Sequence, residues 1–133
     1  MKFKSLSNKE YNVPLKDALN KESRLHSKLH ISARHLLREM FPTCNILEEL
    51  PIKIRRGETL FLDFYIPLYN FAVEVNGQQH YQFTPLFHHT KLNFYQSQRR
   101  DESKKEWCRL NNIVLIELRW NEQKKWKQQI QSR

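Results

Sequence analysis

Residues 60 to 76 read LFLDFYIPLYNFAVEVN, two runs of alternating side chains separated by PLYN, and no other stretch constrains the fold as much. A period of two marks a β-strand, and two such runs joined by a short loop predict a hairpin. In the first run Leu60, Leu62, Phe64 and Ile66 are expected on one face, with Phe61, Asp63 and Tyr65 on the other. In the second, Phe71, Val73 and Val75 oppose Ala72, Glu74 and Asn76. If the loop closes symmetrically between Leu68 and Tyr69, paired residue numbers sum to 137 and Asp63 falls opposite Glu74. Cross-strand partners lie with Cβ atoms about 4.5 to 5.5 Å apart, where two carboxylates repel. A divalent cation would relieve that repulsion, and hard oxygen ligands suit Mg²⁺, with Mn²⁺ as a substitute. PLYN lacks the Asn-Gly type of turn signal, and a loop one residue longer or shorter would send the acids to opposite faces. The ordinary alternative is that each acid pairs with a Lys or Arg across the sheet.

Charge is distributed around these two acids. Residues 1 to 58 hold 12 Lys and Arg against 7 Asp and Glu, residues 95 to 133 hold 10 against 5, and residues 59 to 94 hold Lys91 against Asp63 and Glu74. An apolar, aromatic segment with two lone carboxylates is thus bracketed by basic flanks, within a net charge of +9. Flanks of that kind suit phosphates, and a surplus of that size points to a polyanionic partner.

With 133 residues and 39% apolar content the chain suits one modest core. Residues 1 to 14 read as a basic N-terminal arm without a clear period, and 15 to 133 as one domain. From Asn20, as N-cap, to Met40 the apolar positions Leu25, Leu29, Ala33, Leu36, Leu37 and Met40 predict an amphipathic helix ending before Pro42. Ile46 to Arg55 reads as a strand, with the turn at Gly57. A basic, aromatic helix is expected from about Leu92 to Asn111, then a fully buried strand over 113 to 119 and a short helix holding Trp126 and Ile130. The order αβββαβ, closed by that helix, defines an α/β class with a small mixed sheet flanked by helices. Cys44 and Cys108 have no zinc-site or disulfide spacing and are expected as core thiols. Neither an apolar run of membrane length nor a secretory pattern is present, so the expected setting is soluble and intracellular, cytoplasmic or nucleoid-associated.

The segments LDFYIPLYNFAVEVNGQQHY and RRDESKKEWCRLNNIVLIELRW together resemble the PD-(D/E)XK nuclease superfamily, most closely the branch of very-short-patch-repair and phage homing endonucleases. The likeness spans about Glu22 to Trp120, in the ordered set Asp-Phe-Tyr-x-Pro, Glu-x-x-Gly-x-Gln-His-Tyr and Asp-x-x-Lys. It implies a restriction-endonuclease-like fold and Mg²⁺-dependent hydrolysis of DNA phosphodiesters, nicking or cleaving a duplex. Asp63 and Glu74 would be the metal-binding acids, Glu22 an accessory acid, Gln79 and His80 residues lining the site, and Asp101 and Lys104 residues near it. Gln79, Arg99, Arg100 and Lys105 are the expected DNA contacts. The partner would be DNA, with no membrane role, a homodimer or specificity partner supplying long-site recognition, and a phage gene as one source.

Two positions depart from the pattern. Leu62 replaces the motif proline, a common drift. Asn76 stands where the motif lysine belongs, the group that positions the attacking water and stabilises negative charge. A working enzyme then needs a substitute: His80 as general acid or base, and Lys104 as the positive charge. The alternatives are a nuclease-fold DNA-binding module without catalysis, and a nuclease selective for mismatches or branches. Plainer roles exist too. Glu22 suits a helix N-terminus, Asp101 and Lys104 suit a surface i, i+3 pair, and His88 and His89 suit a solvated loop. Tyr81, Phe83, Phe87, Phe94 and Tyr95 suit either base stacking or the core, and Trp107, Trp120 and Trp126 suit packing.

Overall fold

The computed structural model describes residues 1–19 and 27–133, with the backbone alone for Phe87. Strands β1 (Lys2–Lys4) and β2 (Glu10–Asn12) form a small antiparallel pair. Helices α1 (Leu15–Leu19) and α2 (Lys28–Met40) follow, then strands β3 (Leu47–Arg55), β4 (Glu58–Ile66) and β5 (Phe71–Asn76). The short helix α3 (Pro85–His88) and the long α4 (Lys91–Leu110) lead to β6 (Val114–Arg119) and α5 (Trp126–Gln131). The main sheet runs β3-β4-β5-β6, antiparallel except for the β5–β6 pair, with α4 as the crossover that a parallel pair requires. The fold is mixed α/β, a four-stranded mixed sheet flanked by helices beside a two-stranded one.

Residues 1 to 14, expected as an arm, are docked. Phe3 is buried with its ring 5.1 Å from that of Trp107, so β1–β2 covers one face of the sheet together with Ala18 of α1 and Trp107 and Cys108 of α4. The opposite face is covered by Ala33 and Leu37 of α2 and by Trp126 and Ile130 of α5. Helix α2 starts at Lys28, after an extended Ser27 whose side chain accepts from the His30 N–H. A serine oxygen satisfying that otherwise orphaned donor is a sufficient start signal. Asn20 and Glu22 lie outside the described residues. Cys44 packs partly against the second face, and neither it nor Cys108 is in a disulfide.

The β4–β5 register is the expected one. Phe64 pairs with Val73, Tyr65 with Ala72 and Ile66 with Phe71, each pair summing to 137. PLYN achieves this with a 3-10 turn over Pro67–Tyr69 closed by Asn70 in the left-handed region at φ 52°. Asparagine tolerates that region, and here its Oδ1 also accepts from the Tyr65 hydroxyl at 2.6 Å while its Nδ2 donates to the Asn112 carbonyl at 2.8 Å.

The expected alternation along β4 does not hold. Phe64 and Ile66 pack on the α2 face, but Leu60 and Leu62 pack on the α4 face with Tyr65. The strand changes face between Leu62 and Phe64. The paired strand shows the cause: Glu49, with φ 50°, sits between the pairs Glu48↔Phe64 and Leu50↔Leu62, opposite Asp63. A left-handed residue inside a strand turns the pleat over, and both strands turn together. The ladder is therefore interrupted at Asp63.

Other departures are local. Strand β6, expected fully buried, is an edge strand whose Val114 is 51% exposed; only Ile116 and Leu118 are buried, under α5. His88, expected in a solvated loop, is buried between the Phe83 and Phe94 rings, and its Nδ1 accepts from the Thr84 N–H at 3.0 Å. That bond satisfies a backbone donor at the start of α3.

One charged network ties α2 to β3. Glu48 accepts from Arg34 Nε and Nη2 at 2.8 to 3.0 Å and lies 2.8 Å from His30 Nε2. Burial pushes the Glu48 carboxyl up, but these hydrogen bonds and charges outweigh it and hold the carboxyl below its usual range. A depressed carboxyl stabilises the fold fully above its unfolded pKa near 4.5, and that share is lost as pH falls through the folded value. Glu48→Gln is expected to destabilise by about 1 to 3 kcal/mol at pH 7 and to flatten the acid limb below that point. Urea melts at pH 7 and pH 3.5 check this; equal losses at both would assign the effect to packing.

Candidate active site

Parallel strands β5 and β6 end together, and loops leaving the carboxyl ends of such strands form a natural ligand crevice. Glu74 lies on β5 facing α4 and is 6% exposed. Continuing the 137 register past Phe64↔Val73 sets Asp63 across from it. Asp63 Oδ2 accepts from the Val75 backbone N–H at 2.8 Å, so a side chain takes up the β5 donor beyond the last β4–β5 pair. The two acids meet where the pleat turns over. On the other side Glu117 of β6 is the direct parallel partner of Glu74, which extends the carboxylate row to a third strand.

Helix α4 supplies the counter-charges. Its inward stripe is apolar at Trp107 and Cys108 and polar three and six residues earlier, at Lys104 and Asp101, so packing of the tryptophan draws both polar groups to the sheet. Lys104 Nζ lies 3.0 Å from Glu74 Oε1, with 18% of the lysine side chain exposed. The contact is a largely buried ion pair. Lys105 Nζ lies 3.3 Å from Glu117 Oε1 and 3.4 Å from Glu102 Oε1. Asp101 Oδ2 is 3.0 Å from His80 Nδ1. Asp101 and Lys104 thus form no surface pair with each other; each reaches inward.

Gly77 leads from β5 into the 3-10 turn Gln78–His80 that presents His80. A Cβ at Gly77 would lie 2.5 Å from Gln79 Oε1, so the glycine lets Gln79 fold back over the chain. Asn76 Nδ2 donates to the Tyr81 hydroxyl at 3.2 Å; Tyr81 also stacks on Trp120 at 5.6 Å and lies under the Arg119 guanidinium at 4.5 Å. A groove of about 650 Å³ opens over these groups, lined by Asn76, His80, Tyr81, Arg99, Asp101 and Glu117 among others. Lys105 lines it as well, whereas Arg100 lies outside and donates to Ser97 Oγ at 3.0 Å. Gln79 does not line the groove, and Asp63, Glu74 and Lys104 lie behind its lining residues and not among them. Glu117 and Arg119 have no place in the sequence-based site, whereas Tyr81 was weighed for base stacking or the core; the one available signal for Glu117 is a lone acid inside the otherwise aliphatic VLIEL.

Burial, followed by the negative charge of Asp63, holds the Glu74 carboxyl well above its usual range against the pull of Lys104. Burial acts downward on Lys104, but attraction to Glu74, Asp63 and Asp101 wins and leaves its pKa raised. Burial, with Glu74 second, pushes the nearby Cys108 thiol up to about 12, so it is no nucleophile. Among the described residues no three His, Cys, Asp or Glu side chains form a ready cage for an ion. Asp63 and Glu74 nonetheless fit Mg²⁺, which takes one or two carboxylates and fills its other positions with water and substrate oxygens. A cation at this point would offset the repulsion that raises Glu74.

No protein-family model matches the chain, and no solved structure matches it. It is 48% identical over 59 residues to Uncharacterized protein 307L of Invertebrate iridescent virus 6, an overlap covering 44% of this chain and 30% of that protein. It is 42% identical over 62 residues to Uncharacterized protein 033L of Invertebrate iridescent virus 3, covering 47% of this chain and 32% of that protein. The aligned part is about a third of the length of these curated relatives. No helix among the described residues is long and apolar enough to cross a membrane.

Proposed function

We propose that the protein is a Mg²⁺-dependent DNA endonuclease with a restriction-endonuclease-like core, hydrolysing phosphodiester bonds of duplex DNA. The observation that carries this reading is the β4–β5 register that brings Asp63 to Glu74, with Lys104 of α4 3.0 Å from Glu74. The resemblance of the same residues to the PD-(D/E)XK nucleases supports it. Asp63 and Glu74 would hold Mg²⁺, which when bound supplies Lewis-acid activation of water and of the scissile phosphate. Lys104 takes the place of the motif lysine that Asn76 lacks, reaching the carboxylates from the helix and not from β5. Its raised pKa keeps it cationic at neutral pH, as stabilisation of developing negative charge requires.

His80 handles the proton. Asp101 binds Nδ1 and so orients the ring, leaving Nε2 as the exchanging nitrogen beside the groove. His80→Ala is expected to slow single-turnover nicking by about 10² to 10⁴-fold. Asp101→Asn should lower the rate less and displace the pH–rate profile. A profile unchanged in both variants would assign the pair to structure alone.

Cleavage of supercoiled DNA in Mg²⁺ or Mn²⁺, abolished by chelator, tests the whole reading. The absence of the motif lysine from β5 specifically favours one other reading, a DNA-binding module without catalysis. That module would bind DNA equally well with chelator and cut nothing in either metal. Comparing plain duplex with mismatched and branched duplexes shows whether the enzyme selects structure. A homodimer or a specificity partner would supply recognition of a long site, and the overlap with viral proteins fits a phage or viral source.

A further inference from the structure

A second concavity of about 410 Å³ lies between the β1–β2 hairpin and the β3–β4 turn. Its lining includes Lys9, Lys53, Arg55 and Arg56 against the single acid Glu10, together with the Ser5 and Ser7 side chains. Arg55 lines both this concavity and the groove beside the candidate active site, so the two adjoin at that residue. Arg55 is paired with Glu58 at 3.1 Å, but among the described residues Lys9, Lys53 and Arg56 have no ion-pair partner. All three are exposed.

The walls are held in place independently of any ligand. Phe3 anchors the hairpin in the core, the Ser5 hydroxyl accepts from the Lys9 N–H at 3.3 Å, and the Leu6 N–H donates to the Ile54 carbonyl at 2.7 Å. Tyr11 accepts from the Lys53 backbone N–H at 3.0 Å, and the Lys53 ammonium lies 5.4 Å from the centre of the Tyr11 ring. Arg56 projects from a tight turn made possible by Gly57 at φ 79°. Unpaired cations on two fixed hairpins, leading away from a site that cuts phosphodiesters, match a run of backbone phosphates. They do not match a single small anion, which one or two of them would satisfy.

We infer that Lys9, Lys53 and Arg56 form a phosphate track along which duplex DNA extends from the active-site groove toward the N-terminal hairpin. The inference rests on the nuclease reading and adds to it where the flanking duplex lies. Each phosphate neutralised contributes about −0.9 to the slope of log K against log salt for B-DNA.

The test is the triple variant Lys9→Gln, Lys53→Gln, Arg56→Gln, with binding to a 30-base-pair duplex followed across 50 to 300 mM KCl in chelator. Single-turnover cleavage at saturating DNA is measured in parallel. The expected slope falls in magnitude by about 2.7 and affinity near 100 mM salt drops roughly a hundredfold, while cleavage at saturation stays at the wild-type rate. An unmoved slope and affinity, with wild-type cleavage intact, would overturn the track and leave the nuclease reading standing. Failure of the wild-type protein to bind duplex DNA overturns both. Loss in the variant of binding to phosphatidylserine vesicles, with DNA binding untouched, assigns the track to a lipid surface and overturns it too. Because the three side chains are exposed, a matching thermal melt confirms that the variant is folded.

Discussion

Replacing Asp63 by Asn, or Glu74 by Gln, is expected to slow nicking of supercoiled DNA by about a thousandfold or more while leaving the fold and chelator-insensitive DNA binding in place. The magnitude is that of losing metal activation of both nucleophile and phosphate, about 4 kcal/mol or more of barrier. The fold should survive for different reasons at the two positions. An Asn at 63 keeps an oxygen that can accept from the Val75 N–H, which is the bond Asp63 Oδ2 makes at 2.8 Å. A Gln at 74 removes a carboxylate whose ionised form burial and Asp63 already disfavour, and Lys104 keeps the attraction of Asp63 and Asp101. Urea melts should therefore shift little, and the loss should appear in turnover. Undiminished cleavage by either variant would sink the assignment.

Lys104→Met is expected to damage both stability and activity. A methionine fills similar space without the charge and leaves Glu74 buried with Asp63 as its nearest charge. Stranding one member of a buried pair typically costs about 3 to 5 kcal/mol, against which protonation of Glu74 at lower pH is the relief. Since the Glu74 carboxyl already sits well above its usual range, the variant should recover stability as pH falls and the carboxyl takes up its proton. Loss of the positive charge should lower the cleavage rate about 10² to 10³-fold. Lys104→Arg, which keeps the charge, should restore stability more fully than rate, because its planar head does not match the geometry of an ammonium. A Lys104→Met protein with wild-type cleavage would remove this lysine from the mechanism and leave Asn76 without a substitute.

The parts of the site that were legible in the sequence are those governed by local rules. Alternation marked both central strands, and the number of residues between Ile66 and Phe71 was enough to predict the 137 register that the Phe64↔Val73 pair obeys. A hairpin's register follows from its own loop, so no distant contact is needed to set it. Helix α4 and strand β6 fell within a residue or so of their expected limits for the same reason, whereas the choice of β5 as the parallel neighbour of β6 came from the tertiary structure.

What alternation misjudged is equally specific. It assumed one unbroken pleat along β4, whereas Glu49 on the neighbouring strand turns the sheet over opposite Asp63. Nothing near Asp63 in the chain announces that. The docking of residues 1 to 12 depends on Phe3 finding Trp107, a contact more than a hundred positions away in the chain, and polar hairpin strands of three residues carry too little pattern to be seen alone. Glu117 entered the carboxylate row only because β6 pairs in parallel with β5 at a register that Glu74 and Glu117 share.

Side-chain period and loop length, acting within a few neighbouring residues, were enough to set the α/β class, the strands that carry Asp63 and Glu74, and the hairpin register that aligns them. The inward turn of Lys104 to Glu74, the hold of Asp101 on His80 and the break of the pleat at Asp63 were set by long-range packing. Those depend on how Trp107 seats α4 on the sheet and on the backbone of a neighbouring strand, which are packing choices made by the whole chain at once.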